Sequence, residues 1–361
     1  MNTEERFLTA LKCKQPDRVP VTLFLNPYTK NWATEDKSYT KLMDAVKEYS
    51  DVVYDWHFPF GHFNTAVVKD YKTEDIGSGK IKQSINAPKG ELCRIIQDKF
   101  GGGTEKHWIE SLEDAEKVLS IPYVPCRPDL NEFFKTKKEL KDKAVAQVTL
   151  PDPICIVGDL FKPEMFCTFS IENRDLIIKM LDEFKKRILD EIDYLIKNDV
   201  GPVYYFNGPE YVLPPLMSPL DFNDFVVDYD TEIIQKINKA GKYTIIHSHG
   251  KVNKFLDSFL KIGPSGLNVL EPPPSGDIIL ADAKKKIGKK ICMIGNIQYD
   301  DLARASLAQV EKLVKDCMDA AKEGGGFIIS PCASPYESPI PEKTAENLIH
   351  YLKMANKYGK Y

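Results

Sequence analysis

No CxxC pair and no tight cysteine framework occurs in this 361-residue chain, whose eight cysteines lie scattered at 13, 93, 126, 155, 167, 292, 317 and 332. That spacing excludes a disulfide-stapled scaffold and fits reduced thiols in a cytoplasmic protein. Excess charge is lacking too. The 49 basic and 53 acidic residues leave −4, spread along the chain, which argues against nucleic acid as a main partner. No apolar run is long enough to cross a bilayer, so no membrane role is expected. The opening MNTEERFLTALK reads as a capped amphipathic helix rather than a secretory signal. Internal repeats and low-complexity linkers are missing as well. What remains is an ordinary globular composition, 43% hydrophobic and 28% charged, with material for a sizeable core.

From Val145 onward, short β-type runs alternate with helical stretches. The runs are AVAQVTL, VYYF (203–206), YTIIHSHG (243–250), GLNVLEP (266–272), KICMIGNI (290–297) and GFIISPC (326–332). Each is nearly continuous in apolar character, as strands buried on both faces should be. Between them, 172–199 places Leu176, Met180, Phe184, Ile188, Ile192 and Leu195 at three- and four-residue spacing, the period of a helix. The stretches 218–240, 277–289, 307–323 and 341–357 behave alike. Two further strands are predicted at VPVTLF (19–24) and DVVYDW (51–56). Eight parallel strands close a (β/α)8 TIM barrel, and the expectation is one domain over 1–361. An open doubly wound sheet is the rival. Residues 65–142 break the rhythm and read as an inserted hairpin region, with turns at Pro88–Gly90 and Gly101–Gly103, covering the barrel mouth.

Barrel active sites form at the carboxyl ends of the strands. The residues there are Asn207 and Glu210, His247 and His249, Glu271, Asn296 and Cys332. Lysine and arginine are absent from this rim, so a phosphate-centred substrate gets no support. His247 and His249 lie two apart on a strand and point to one side. Imidazole with thiolate suits zinc and leaves a position open for substrate. Plain structural readings stand beside this: a histidine held by hydrogen bonds, a thiol filling the core, as is expected of Cys292. Spacing alone does not choose. Glu210 is either a solvated loop acid or a further ligand or substrate-orienting carboxylate. Aromatic residues crowd DWHFPFGHFN, with Trp56, His57, Phe58, Phe60, His62 and Phe63. With VYYF and Tyr336 they suggest an apolar slot for a flat or methyl-bearing ligand. The substrate contacts expected are Tyr204, Asn207, Asn296 and Tyr336.

ERFLTALKCKQPDRVPV, LMSPLDFNDFVVDYDTEIIQKINKAGKYTIIHSHG, MIGNI and GGGFIISPCASPYESPIPEKTAENL resemble the uroporphyrinogen decarboxylase superfamily in the same order along most of the chain. That resemblance implies a (β/α)8 barrel. Authentic decarboxylases carry an arginine-bearing segment where this chain reads TLFLNPYTKNWATED, without arginine, so decarboxylase activity is not expected. The stretch SINAPKGELCRIIQDKFGG is similar to the corrinoid-linked methyltransferase branch. So is the pattern of a zinc histidine followed far downstream by a cysteine, matched by His247 and Cys332. His249 stands where that pattern usually has a second cysteine.

The resemblance implies zinc on His247, His249 and Cys332, with Glu210 as a further contact. It also implies a corrinoid (cobalamin) carried by a partner protein, since this chain has no DxHxxG-type corrinoid segment of its own. Fewer thiolates make zinc a better Lewis acid, which favours removal of methyl from a small methoxylated, aromatic substrate to Co(I), in the manner of an O-demethylase. In this expectation His249 and Glu210 act in catalysis. Two alternatives stay open: transfer from methylcorrinoid to a thiol of the coenzyme M kind, and a non-catalytic corrinoid- or tetrapyrrole-binding protein.

Overall fold

The computed structural model describes residues 1–59, 61–68, 71–99 and 102–361. Phe60 and Gly101, named above, lie outside that set. Along the chain run β1 (Val52–His57), then β2 (Lys72–Asp75), β3 (Lys80–Ala87), β4 (Gly90–Gln97) and β5 (Thr104–Lys106). There follow β6 (Ala144–Pro151), β7 (Val203–Asn207), β8 (Tyr243–Ser248), β9 (Gly266–Val269), β10 (Cys292–Ile297) and β11 (Phe327–Pro331). Strands β1 and β6 to β11 make one curled, seven-stranded parallel sheet in chain order. All residues of β10 and β11 are buried, the signature of strands covered on both faces.

The eighth expected strand, 19–24, is not regular. It meets β11 through a single parallel bridge, Val21 to Ile329. The Thr22 N–H donates to the Ile329 carbonyl at 3.1 Å, the Ile329 N–H to Pro20 at 3.0 Å, and the Asp51 N–H to Val21 at 2.6 Å. Pro20 has no N–H for a ladder, and the Asp51 carboxylate takes the Val21 N–H at 2.9 Å. Side-chain bonds thus stand in for strand pairing on that flank.

The helical periods hold. Arg174–Lys197, Leu280–Ile287 and Leu307–Ala321 form within the expected stretches, and Glu342–Tyr358 runs one residue past its own. The stretch 218–240 divides into Pro219–Phe222, a π-helical turn Asn223–Val227, and Asp228–Lys239. At the amino ends of the strands the helix Thr3–Leu11 inserts Phe7, Ala10 and Leu11 among Val145, Val203, Ile245, Cys292, Ile294 and Ile328. That end is therefore plugged with apolar side chains, and Cys292 is core as expected. Among the described residues no helix is long and apolar enough to cross a membrane.

The region 65–142 is larger than a hairpin. Strands β2 to β5 form a four-stranded antiparallel sheet, joined by helices Leu112–Ser120 and Asn131–Leu140. Trp108 anchors it: the ring lies 5.1 Å from Phe63 and 5.5 Å from Tyr71, with the Arg94 guanidinium 5.5 Å over it. Trp108 also packs on His62, which pairs with Asp159 at 3.2 Å. His62 follows β1 and Asp159 follows β6, so the inserted sheet sits at the carboxyl-end face.

Candidate active site

In β-strands alternate residues share a face. Val203, Tyr205 and Asn207 therefore lie in one series on β7, as Ile245 and His247 do on β8, and Val203 and Ile245 belong to the interior core. That parity brings Tyr205 and His247 inward. The Asn268 amide nitrogen donates to the Ile294 carbonyl at 3.2 Å, which turns its oxygen toward two partners. The Tyr205 hydroxyl donates to it at 2.8 Å, and His247 Nδ1 lies 2.7 Å away. Nδ1 therefore carries the hydrogen, and Nε2 keeps its lone pair for a metal or a proton. Burial holds His247 down to about 4, so the ring is neutral near pH 7.

The His249 ring meets His247 edge-on, with centroids 4.7 Å apart. Its Nδ1 pairs with Glu271 Oε1 at 3.2 Å, and that hydrogen bond raises its affinity for a proton. Glu271 also accepts the Gly250 N–H at 2.7 Å. Burial alone would raise the Glu271 carboxyl, but His249 and Gly250 outweigh it and hold the group below its usual range. Glu210, in the short helix Pro209–Val212, is raised by burial; His249 opposes that rise and Glu271 adds to it. Its Oε2 is buried without a hydrogen-bond partner among the described residues. Cys332 is buried, its thiol 3.9 Å from the Val269 carbonyl, and burial, followed by Glu271, raises it.

These donors suit zinc chemically, and the orphaned Glu210 oxygen asks for a cation or a donor. As the side chains stand, no three of His, Cys, Asp or Glu among the described residues gather around one point to hold a metal.

Three expected substrate contacts sit elsewhere. Tyr204, on the opposite face of β7, is fully buried and gives its hydroxyl to the Val200 carbonyl at 3.1 Å. Asn296 donates to the Leu270 carbonyl, just past β9, at 2.8 Å and receives the Cys317 thiol from the helix layer at 3.8 Å, so its amide is spent within the protein. Tyr336 is 54% exposed and packs on Tyr299, beside an outer groove. Asn207 lines a cavity of about 280 Å³ with His57, His62, Cys155 and Asp159.

Sequence reading passed over Asp55, Gln147 and Asn268, and took Tyr205, within VYYF, only as part of an apolar slot. They line an interior cavity of about 260 Å³ together with Phe24, Trp32, Val53, Ile245 and Ile294. Asp55 Oδ1 accepts the Thr149 hydroxyl at 2.5 Å and the Gln147 amide at 3.2 Å. Two signals were available: an acid inside an apolar strand, and strand parity counted back from His247.

A uroporphyrinogen decarboxylase (URO-D) family model matches residues 109–357. Methylcobamide:CoM methyltransferase MtaA of Methanosarcina barkeri is 28% identical over 338 residues, 90% of each chain. The protein of that name from strain Fusaro / DSM 804 is 27% identical over the same share. A solved methyltransferase from Methanosarcina mazei superposes with a TM-score of 0.65 at 16% identity, covering 99% of both chains, which is a likeness of fold. With that match across more than half its length, and with the inward histidine, the rim acids and the buried thiol in place, the chain belongs to the uroporphyrinogen decarboxylase family.

Proposed function

We propose that this protein is a corrinoid-dependent methyltransferase that removes the methyl group of a small methoxylated, aromatic substrate and passes it to the Co(I) corrinoid of a partner protein. We read its sheet as a (β/α)8 barrel closed by 19–24. The observation that carries the proposal is the neutral His247, its Nε2 lone pair free, beside the His249–Glu271 pair and held by Tyr205 and Asn268, which line the interior cavity. The similarity to methylcobamide:CoM methyltransferase over 90% of both chains supports the reaction class.

Zinc would be held by His247, His249 and Cys332, with Glu210 as a fourth contact. When bound there it supplies Lewis acidity toward the ether oxygen. The chain's own groups orient the rest. Tyr205 and Asn268 fix the His247 tautomer, and Glu271 fixes the His249 ring through Nδ1. His249 Nε2 then either binds metal or delivers a proton to the departing oxygen. His249 keeps 43% of its side chain exposed, so the site opens on the strand-end face where a corrinoid protein docks.

Methylation of Co(I) cobalamin, followed optically against methoxy compounds, methanol, methylamines and methyl thiols, tests the reading. Methyl transfer from methoxy compounds supports it. Silence with the whole panel and with the natural corrinoid protein ends it. Metal analysis assigns the ligands: zinc lost in both Cys332→Ala and His249→Ala supports the three-residue set, while zinc lost only with Cys332 moves His249 to the substrate. The relative's name favours a second reading, transfer from methylcorrinoid to a thiol, which the same panel run in reverse distinguishes.

A further inference from the structure

Three groups of residues line the interior cavity, and they differ in what they offer a ligand. Nearest the amino-end plug are Phe7, Val53, Ile245 and Ile294, all apolar. Next come Asp55, Gln147, Tyr205 and Asn268, the last level with His247 on the neighbouring strand. Asp55 is engaged by Thr149, by Gln147 and, through Oδ2, by His57 Nε2 at 3.2 Å. Tyr205 and Asn268 hold His247. The third group is the segment 22–32, which supplies Phe24, Leu25 and Trp32 along with Thr22, Asn26, Thr29 and Asn31. Asn31 is spent on the segment itself, its amide on the Asn26 and Thr29 carbonyls and its oxygen on the Ala33 and Thr34 N–H groups. Thr22, Asn26 and Thr29 add small polar groups, so this lining does not choose a ligand by charge. Shape is another matter.

Two large apolar side chains of the segment stay uncovered. Phe24 lies between Leu23 and Leu25, both buried, at a φ of +55° that a bulky residue adopts only under strain. It is nonetheless 38% exposed. Trp32, 47% exposed, opens the short helix Trp32–Glu35 behind the Asn31 capping box. Its ring meets Tyr39 edge-on at 5.1 Å, and Tyr39 is buried with its hydroxyl on the Glu337 carbonyl at 2.8 Å. Backbone and neighbours thus hold both aromatic residues at the cavity, where a flat apolar body would leave water together with them. Direction follows from the chemistry. The methyl group must face the strand-end opening, where Co(I) approaches in line with the carbon–oxygen bond. The rest of the donor then extends inward from His247, past Tyr205 and Asn268 toward the apolar floor.

We propose that Phe24 and Trp32 are the specificity-determining residues of this site. They hold the ring of an aryl methyl ether in the interior cavity, and so favour it over saturated methyl donors of the same charge. This deepens, and rests on, the methyltransferase reading above. It has its own test, because it concerns binding to the protein alone, without corrinoid.

Isothermal titration of the purified full chain with methoxybenzene and methoxycyclohexane compares two uncharged ethers of similar size, one flat and one puckered. Methoxybenzene should bind at least about threefold more tightly. Trp32→Ala should weaken methoxybenzene about tenfold and abolish the preference, and Trp32→Phe should restore most of both. Phe24→Gly suits the left-handed backbone and so keeps the fold; it should weaken methoxybenzene several-fold. Equal affinity for the two ethers, no binding of methoxybenzene, or wild-type affinity in both Trp32→Ala and Phe24→Gly overturns the proposal. Co(I) methylation is scored separately. Transfer from methoxybenzene with an unchanged KM in these variants sinks the cavity assignment and leaves the reaction standing. Ring binding that depends on Trp32, in a protein that methylates no Co(I), upholds the ring site and ends the methyltransferase reading.

Discussion

At position 205 one phenol hydroxyl meets both the Asn268 oxygen, at 2.8 Å, and His247 Nδ1, at 2.6 Å. The arrangement leaves no freedom to the imidazole, and outer partners of this kind set how strongly a histidine binds metal. Tyr205→Phe and Asn268→Ala should each weaken zinc retention about 10–100-fold in competition with a chelator, with the far-ultraviolet spectrum unchanged. Unaltered retention in both would remove His247 from the ligand set. Tyr204→Phe is the control. It loses a buried bond to Val200 and should cost about 1 kcal/mol of stability with no effect on metal.

Where β6 and β7 end, two elements approach so closely that side-chain size is dictated. Asp152 caps the helix Pro153–Asp159 by accepting the Cys155 N–H at 2.7 Å. A Cβ on Gly208 would lie 1.9 Å from Asp152 Oδ1, at a φ of +153° that disfavours any side chain. Gly208→Ala should lose about 3 kcal/mol or more in urea denaturation. The far oxygens of Asp152 and Asp230 find no donor elsewhere among the described residues and face each other, which calls for a shared proton. Burial, first of all, pushes Asp230 up to about 8 and Asp152 well above the carboxylate range. The folded affinity for the proton exceeds the unfolded one. Stability from this pair is therefore complete below about pH 4 and is lost as pH rises toward about 8, at most about 1.4 kcal/mol per pH unit for one proton. Asp230→Asn should flatten the fall of the urea midpoint between pH 5 and 9. A variant curve parallel to wild type would show that no proton is shared.

Across the whole molecule, one buried carboxylate joins the segments that flank the first strand. Asp51 is fully buried and bonds Arg6 and Arg18, each at 2.6 Å, and the Val21 N–H at 2.9 Å. Helix Thr3–Leu11, the 19–24 stretch and β1 are thus tied together through a single side chain. Removing one partner of a buried ion pair leaves the other uncompensated. Asp51→Ala should cost about 3–5 kcal/mol in equilibrium unfolding. It should also expose the amino-end plug, seen as faster hydrogen exchange in Thr3–Leu11 than in Leu307–Ala321. Equal protection of the two helices would mean that Asp51 does not hold the plug.

Much of this architecture is local in origin, and so was readable along the chain. Apolar runs and three- and four-residue periods mark strands and helices because each element buries its own face, and seven of the expected strands formed on that basis. The rim position of His247, His249, Glu271 and Cys332 follows from strand direction alone. Three things were settled only by packing. The 19–24 run has strand composition, yet Pro20 and the Asp51 carboxylate replace its ladder. Tyr204 and Tyr205 are equivalent as composition, but the register of β7 sends one to the helix layer and the other to His247. Asn268 and Asn296 both lie on apolar strands, and only the neighbours across the sheet decide that the first orients the histidine while the second binds Leu270 and Cys317. Periodicity assigns a side chain to a face; what it meets there depends on strands distant in sequence, and the chemistry of the site lies in those meetings.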